Sequence, residues 1–249
     1  MKRNPKWHED EIILALDLYF SPDRGIIDSK NPKIIELSEL LNKLPLGIDK
    51  TDEEKFRNVN GVTLKLSNFA AIDPTYKGKG MLRHSKLDRQ IFEAFVHKKE
   101  TLHQIAESLK NISNSPSLVE AISKIEEEDE EEEEYNGAIE GKTLQKLHKV
   151  YERDPKIVKM KKKEVLKALG VLICEVCGFD FHQFYGSHGE GYIECHHRIP
   201  LANLKMVKHT KLEDLALVCA NCHRMLHRNK NKHTVETLKE LYNINHISS

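Results

Sequence analysis

Residues 193–200 read Ile-Glu-Cys-His-His-Arg-Ile-Pro, and residues 213–227 read Glu-Asp-Leu-Ala-Leu-Val-Cys-Ala-Asn-Cys-His-Arg-Met-Leu-His. Tyr192 to Cys195 reads as a short strand running into a pair of adjacent histidines. Neighbours on an extended chain point to opposite sides. One of His196 and His197 can therefore ligate a metal while the other faces a different atom, such as an attacking water. Ala220 to Lys230 reads as a helix, and its His223 and His227 lie four residues apart. That spacing stacks both rings on one face, as two ligands of one metal require. A single histidine is ordinarily a surface or core residue; four of them around one scaffold are better read as a site.

The scaffold is supplied by cysteine. All five cysteines lie between residues 174 and 222, and four form two Cys-x-x-Cys pairs, Cys174 with Cys177 and Cys219 with Cys222. Two intervening residues let a knuckle turn both sulfurs onto one tetrahedral zinc, and two knuckles complete a closed four-sulfur site. Disulfides are the alternative, disfavoured by a reducing cytosol and by knuckle spacing at both pairs. Cys195 stands apart and reads as a small apolar strand residue. Forty-one residues separate the knuckles, too many for a short zinc finger.

These segments, with Cys174-Glu-Val-Cys177 upstream, resemble the HNH nuclease family. The resemblance implies a two-stranded hairpin and a helix closing on a metal, stapled by a four-cysteine structural zinc. It implies His197 as the general base activating water, and His196, His223 and His227 as holders of a catalytic divalent metal, whether Mg2+, Mn2+ or another transition metal. It also implies products ending in a 5′-phosphate and a 3′-hydroxyl. The family's middle Asn falls at Asp214, which can accept the same backbone hydrogen bonds but cannot donate from an amide. A narrower resemblance rests on Leu144-Gln-Lys-Leu-His-Lys-Val-Tyr-Glu-Arg-Asp-Pro155 ahead of the first knuckle. Helix pair plus HNH is similar to the C-terminal part of McrA-like, modification-dependent (type IV) restriction endonucleases, over about residues 142–230.

Working outward, a helix to Arg153 and another from Pro155 to Leu169 are expected, the second capped by Asp154 and stopped by Gly170. Six lysines occupy residues 156–167 of that second helix. Lys159, Lys162 and Lys163, with Arg198 and Arg224, are candidate phosphate contacts, against the alternative of ordinary solvated cations. Residues 113–141 hold Ser-Asn-Ser-Pro-Ser and nine consecutive acids, Glu126 to Glu134. Like charges so close repel and bury nothing, which predicts a disordered linker; a nucleic-acid mimic masking the basic half is the sharper alternative.

Residues 1–112 read as a helix-dominated domain. Ile12, Leu16 and Tyr19 form an amphipathic stripe, Asn31-Pro32 starts a second helix, and a third follows an Asn60-Gly61 turn with Val62, Leu66 and Phe69 on one face. Two more are expected around 87–96 and 101–112. Arg57, Asn58, Asn60, Lys65 and Asn68 put charge and amides around that turn, a candidate surface for phosphates and base edges, here a modified-base sensor. The alternative is that they cap helices and sit in solvent.

Lys plus Arg equals Asp plus Glu at 39 each, yet residues 142–249 carry 19 basic and 11 acidic side chains, a net +8. That segregation points the C-terminal half at a polyanion. No apolar run reaches the roughly 20 residues of a membrane span, and the N-terminus does not read as a secretory signal, so a cytoplasmic protein with no membrane partner is expected. The fold expected is α+β: a helical recognition domain (1–112), an acidic linker (113–141) and a zinc-stapled ββα-metal nuclease domain with a helical lead-in (142–249). The function expected is cleavage of double-stranded, modified DNA by a homodimer. A zinc-stapled binder without cleavage, and a nuclease acting on RNA or unmodified DNA, are the competing readings.

Overall fold

The computed structural model describes residues 4–48, 50–78, 84–124, 141–152, 154–198, 211–228 and 233–247. They form two units, one containing the described residues up to 124 together with 141–147, the other containing those from 148 onward.

The first unit is built on α1 (Glu9–Phe20), followed by α2 (Pro32–Leu41), α3 (Val59–Ile72), α4 (Lys86–Phe95), α5 (Lys99–Ser113) and α6 (Pro116–Ser123). A capping box starts α1. The His8 ring accepts from the Asp10 amide, and Glu11 reaches back to the His8 amide at 2.7 Å. The sequence stripe anticipates one buried face, but Ile12, Ile13, Leu14, Ala15 and Leu16 are all at most 1% exposed. Helices α2, α3, α4 and α5 all pack against α1, so it is the central rod of the bundle.

Charge is buried in this core as matched pairs. Arg57 meets Glu11 through both oxygens at 2.6 and 2.7 Å, and its remaining donors take the carbonyls of Pro5 and Lys6. Arg57 also carries a left-handed backbone, φ 46°, a conformation a non-glycine residue keeps only when its surroundings hold it. Lys65 meets Asp88 at 2.6 Å, both nearly inaccessible. Burial pushes the Lys65 ammonium below its usual range, opposed by the adjacent Asp88.

Three expectations change here. Asn60-Gly61 is not a turn but the first turn of α3, capped by Asn58, whose Oδ1 accepts from the Gly61 amide at 2.9 Å. The start of the anticipated linker is helical, since α5 runs to Ser113 and α6 buries Ile122 completely; the acidic run itself lies outside the described residues. The helical lead-in α7 (Lys142–Glu152) begins in the first unit, not the second. Leu144 and Leu147 are buried there, the Thr143 amide donates to Asp10 at 3.0 Å and the Gly141 amide to Glu9 at 3.2 Å. Buried carboxylates on α1 thus find their donors in a segment more than 130 residues away in sequence.

The second unit contains α8 (Pro155–Leu169), α9 (Phe181–Tyr185), β1 (Glu194–His197), β2 (Leu215–Val218), α10 (Ala220–His227) and α11 (Val235–Ile247). Asp154 and Gly170, the latter at φ 75°, bound α8 as the sequence predicts. The strands pair antiparallel, with His196 opposite Ala216 and His197 opposite Leu215. Alternation sorts their side chains. Ala216 and Val218 join Cys174, Cys219, Cys222, Leu226 and α11, while Leu215, Leu217 and Cys195 pack with Ile157, Val158 and Val165 of α8. Every residue of β2 is buried, so the strand carries no polar alternation. Among the described residues no helix is long and apolar enough to cross a membrane.

Candidate metal centres and active site

Cys174, Cys177, Cys219 and Cys222 bring their sulfurs within 4.8 Å of one another. Gly178 turns the first knuckle at φ 74°, returning its amide to the Cys174 carbonyl at 2.8 Å. Cys219 caps α10, its sulfur accepting from the Cys222 amide at 3.5 Å. The Cys177 and Cys219 sulfurs stand 3.8 Å apart, the edge of a tetrahedron whose metal–sulfur distance is about 2.3 Å. The four cysteines therefore fit a closed zinc site. No cysteine is in a disulfide. Without a cation the sulfurs cannot share charge: a hydrogen bond from Cys222 pulls the Cys174 thiol down to about 5, while burial pushes Cys177 up to about 11. The same bond to Cys174, with burial, drives Cys222 up.

A second cluster joins His196 of β1 to His223 and His227 of α10, with one nitrogen of each within 4.8 Å of the others. The ring centroids of the three pairs lie 4.8 to 5.2 Å apart, and the Nε2 atoms of His223 and His227 approach to 3.0 Å. Two ligands each about 2.1 Å from one metal are separated by about this distance. Imidazole nitrogens suit transition metals, and nothing in the donor set excludes Mn2+. Glu194 completes the arrangement. Its carboxylate meets His223 Nδ1 at 2.6 Å, fixing the ring so that Nε2 faces the cluster. Sequence reasoning missed Glu194; its signal was an acid two residues before His196, hence on the same face of the strand.

His197 follows His196 on β1 and is buried, 3% exposed. Alternation turns it away from the cluster and towards the face of Cys195, as adjacent strand residues require. The side chain of Asp214 accepts from the Lys211 amide at 3.0 Å, capping its own short turn, while its carbonyl accepts from the Arg198 amide at 2.8 Å. Asp214 thus ties the strand immediately after His197 through its backbone rather than through its carboxylate.

Several expected nucleic-acid contacts sit elsewhere. Arg57 and Lys65 are interior ion-pair partners, so their charges cannot face a phosphate; this corrects the surface expected around residue 57. Asn58 is a helix cap, Asn60 is exposed and Asn68 is half-buried. Arg198 is engaged by Glu175 and, at 2.8 Å, by Glu236. Glu175 also accepts from the Leu217 amide at 2.9 Å, so the first knuckle, β2 and Arg198 are bound together. Lys159, Lys163 and Arg224 are exposed, and Lys162 donates to the Gly191 carbonyl at 2.8 Å.

Residues 174–229 match the family model for HNH endonuclease. Over 105 residues, 42% of this chain, the sequence is 36% identical to the type IV methyl-directed restriction enzyme EcoKMcrA of Escherichia coli (strain K12). The chain spans about a third of that relative's length, 34%. No solved structure matches the chain. The segment that carries both the four-cysteine and the three-histidine clusters is thus the one that matches the HNH endonuclease family model, in a chain similar to a restriction enzyme.

Proposed function

We propose that the chain is a metal-dependent endonuclease that hydrolyses phosphodiester bonds of double-stranded DNA and restricts foreign DNA carrying modified bases. The observation that supports it is the convergence of His196, His223 and His227 on one point, with a fourth histidine next in the chain. A divalent metal held by these three would stabilise charge on the scissile phosphate and the leaving oxygen. His197 takes the proton of a water, leaving a hydroxide-like nucleophile at neutral pH, and the attack releases a 3′-hydroxyl and a 5′-phosphate. Asp214 holds the strand behind His197. Lys159, Lys163 and Arg224 contact the backbone phosphates, Lys162 contributes from its anchored position, and Zn2+ on the four cysteines keeps the domain folded. Asn60, Asn58 and Asn68 remain on the first unit, which we assign to sensing the modification. Cutting both strands calls for two sites, for which a cytoplasmic homodimer is the economical arrangement.

The test is cleavage of matched plasmids, unmodified or carrying methylated cytosine, hydroxymethylated cytosine or phosphorothioate, with Mg2+ or Mn2+. Cutting confined to one modified plasmid, abolished by His197→Ala without loss of folding or binding, is the expected result. Equal cutting of every plasmid would dismiss the modification role. Binding without cutting by metal-loaded protein would favour the zinc-stapled binder, and cutting of RNA alone a different substrate.

A further inference from the structure

Residues 179–192 read Phe-Asp-Phe-His-Gln-Phe-Tyr-Gly-Ser-His-Gly-Glu-Gly-Tyr, with five Phe and Tyr rings in one short segment around α9. The rings form a continuous cluster. Phe179 meets Phe181 at 4.9 Å and Phe184 at 5.3 Å between centroids, Phe184 meets Tyr185 at 4.8 Å, and Phe181 meets Tyr192 at 4.7 Å. Phe179 and Phe181 are the footing, packed against the core beneath the zinc knuckles. The other three project from it: Phe184 is 68% exposed, Tyr185 54% and Tyr192 51%. The ridge is rigidly seated. Asp180 caps α9 through two amides, and Gly189 lies so close that an added Cβ would stand 2.0 Å from the Phe181 carbonyl oxygen.

Three large rings held together in solvent are unlike scattered surface apolar residues and mark a contact surface. The chemistry around them selects the partner. Lys162 of α8 donates to the carbonyl of Gly191, the residue before Tyr192, which ties α8 to the ring segment at that point. Lys156, Lys159, Lys163 and Lys167 are exposed along that helix at spacings of three and four. An exposed ring cluster in the same unit as a helix with a file of exposed ammonium groups suits a polyanion that also presents flat π-faces, the combination used to hold unpaired nucleotides. Tyr192 leads directly into β1, four residues from His196, a reach of about 13 Å in extended chain.

We propose that Phe184, Tyr185 and Tyr192 form a stacking platform for unstacked or single-stranded bases of the substrate beside the cleavage site, with the lysines of α8 tracking its backbone. The inference rests on the endonuclease reading of the same unit and names the state of DNA that unit grips.

The full-length, zinc-loaded chain carrying His197→Ala is titrated with a short single-stranded oligonucleotide containing 2-aminopurine. Binding with quenching of the probe is expected, and Phe184→Ala/Tyr185→Ala should weaken it about fivefold to a hundredfold, the effect of losing one stacked base. Phe184→Trp, which keeps a stacking face, should restore quenching. Unchanged affinity and quenching in the double variant would overturn the platform. So would a shift in sedimentation on removing the rings, which would make the ridge an interface between copies of the chain. Duplex cleavage by the protein with His197 intact is measured in parallel. Failure to cut any of the modified or unmodified plasmids would remove the duplex-DNA endonuclease reading whatever the quenching shows, whereas cutting together with unchanged oligonucleotide binding would remove only this inference.

Discussion

Replacing Arg57 with Ala should destabilise the first unit rather than disarm a DNA surface. The guanidinium is 4% exposed and Glu11 wholly buried. Truncation therefore strands a carboxylate in the core and releases the carbonyls of Pro5 and Lys6 as well. Removing one partner of such a pair costs about 3–5 kcal/mol. With a urea dependence of about 2 kcal/mol per molar, the midpoint should fall by about 2 M. Trp7 is the chain's only tryptophan, and the Arg57 guanidinium carbon lies 4.8 Å from its ring centre. Its fluorescence therefore follows this unit alone. The double replacement Arg57→Met/Glu11→Leu should regain part of the loss, the deficit being the α1 cap that Glu11 also supplies. A midpoint shift below about 0.5 M would refute the account. So would loss of DNA affinity at fixed salt in protein that remains fully folded, since that would return Arg57 to the binding surface.

Three further outcomes are expected. Glu194→Ala should weaken binding of Mn2+ to the histidine cluster by about 10- to 100-fold, because His223 loses the acceptor on Nδ1; calorimetric titration showing unchanged affinity would remove Glu194 from the site. Cys174→Ser, or a chelator, should abolish cooperative unfolding of the second unit while the Trp7 transition stays in place. Zinc uptake should weaken as pH falls and should release protons, because buried Cys177 holds its proton up to about 11 when no metal is present. A binding enthalpy independent of the buffer's ionisation heat would contradict this.

The grouping of both side-chain clusters was legible because knuckle spacing and the His223, His227 interval are short-range rules that fix side chains to one turn or one helix face. Helix ends carrying their own chemistry, Asn31-Pro32 and Asp154 with Gly170, were legible for the same reason. What escaped depended on partners distant in sequence. Strand β2 is buried on both faces, so Leu-Ala-Leu-Val shows no period of two. Arg57 and Lys65 look like surface cations until Glu11 and Asp88, 46 and 23 residues away, are brought against them. Asn60-Gly61 has the composition of a turn, but Asn58 caps first and the helix takes both residues. The split of α7 likewise follows from acceptors on α1 that no local pattern reveals.

Cys219 is at once a sulfur of the four-cysteine site and the cap of α10, and α10 is the eight-residue helix that carries His223 and His227. An isolated helix of two turns does not persist in water. If the four cysteines take zinc, that ion would be a precondition for a second one: until the knuckle is clamped, two of the three histidines would have no common address. On the proposed reading, assembly would acquire an order, zinc before the reactive metal, with no cleavage in the interval. For a protein whose proposed task is to cut DNA, such a coupling would make arming part of folding itself, set by the zinc supply.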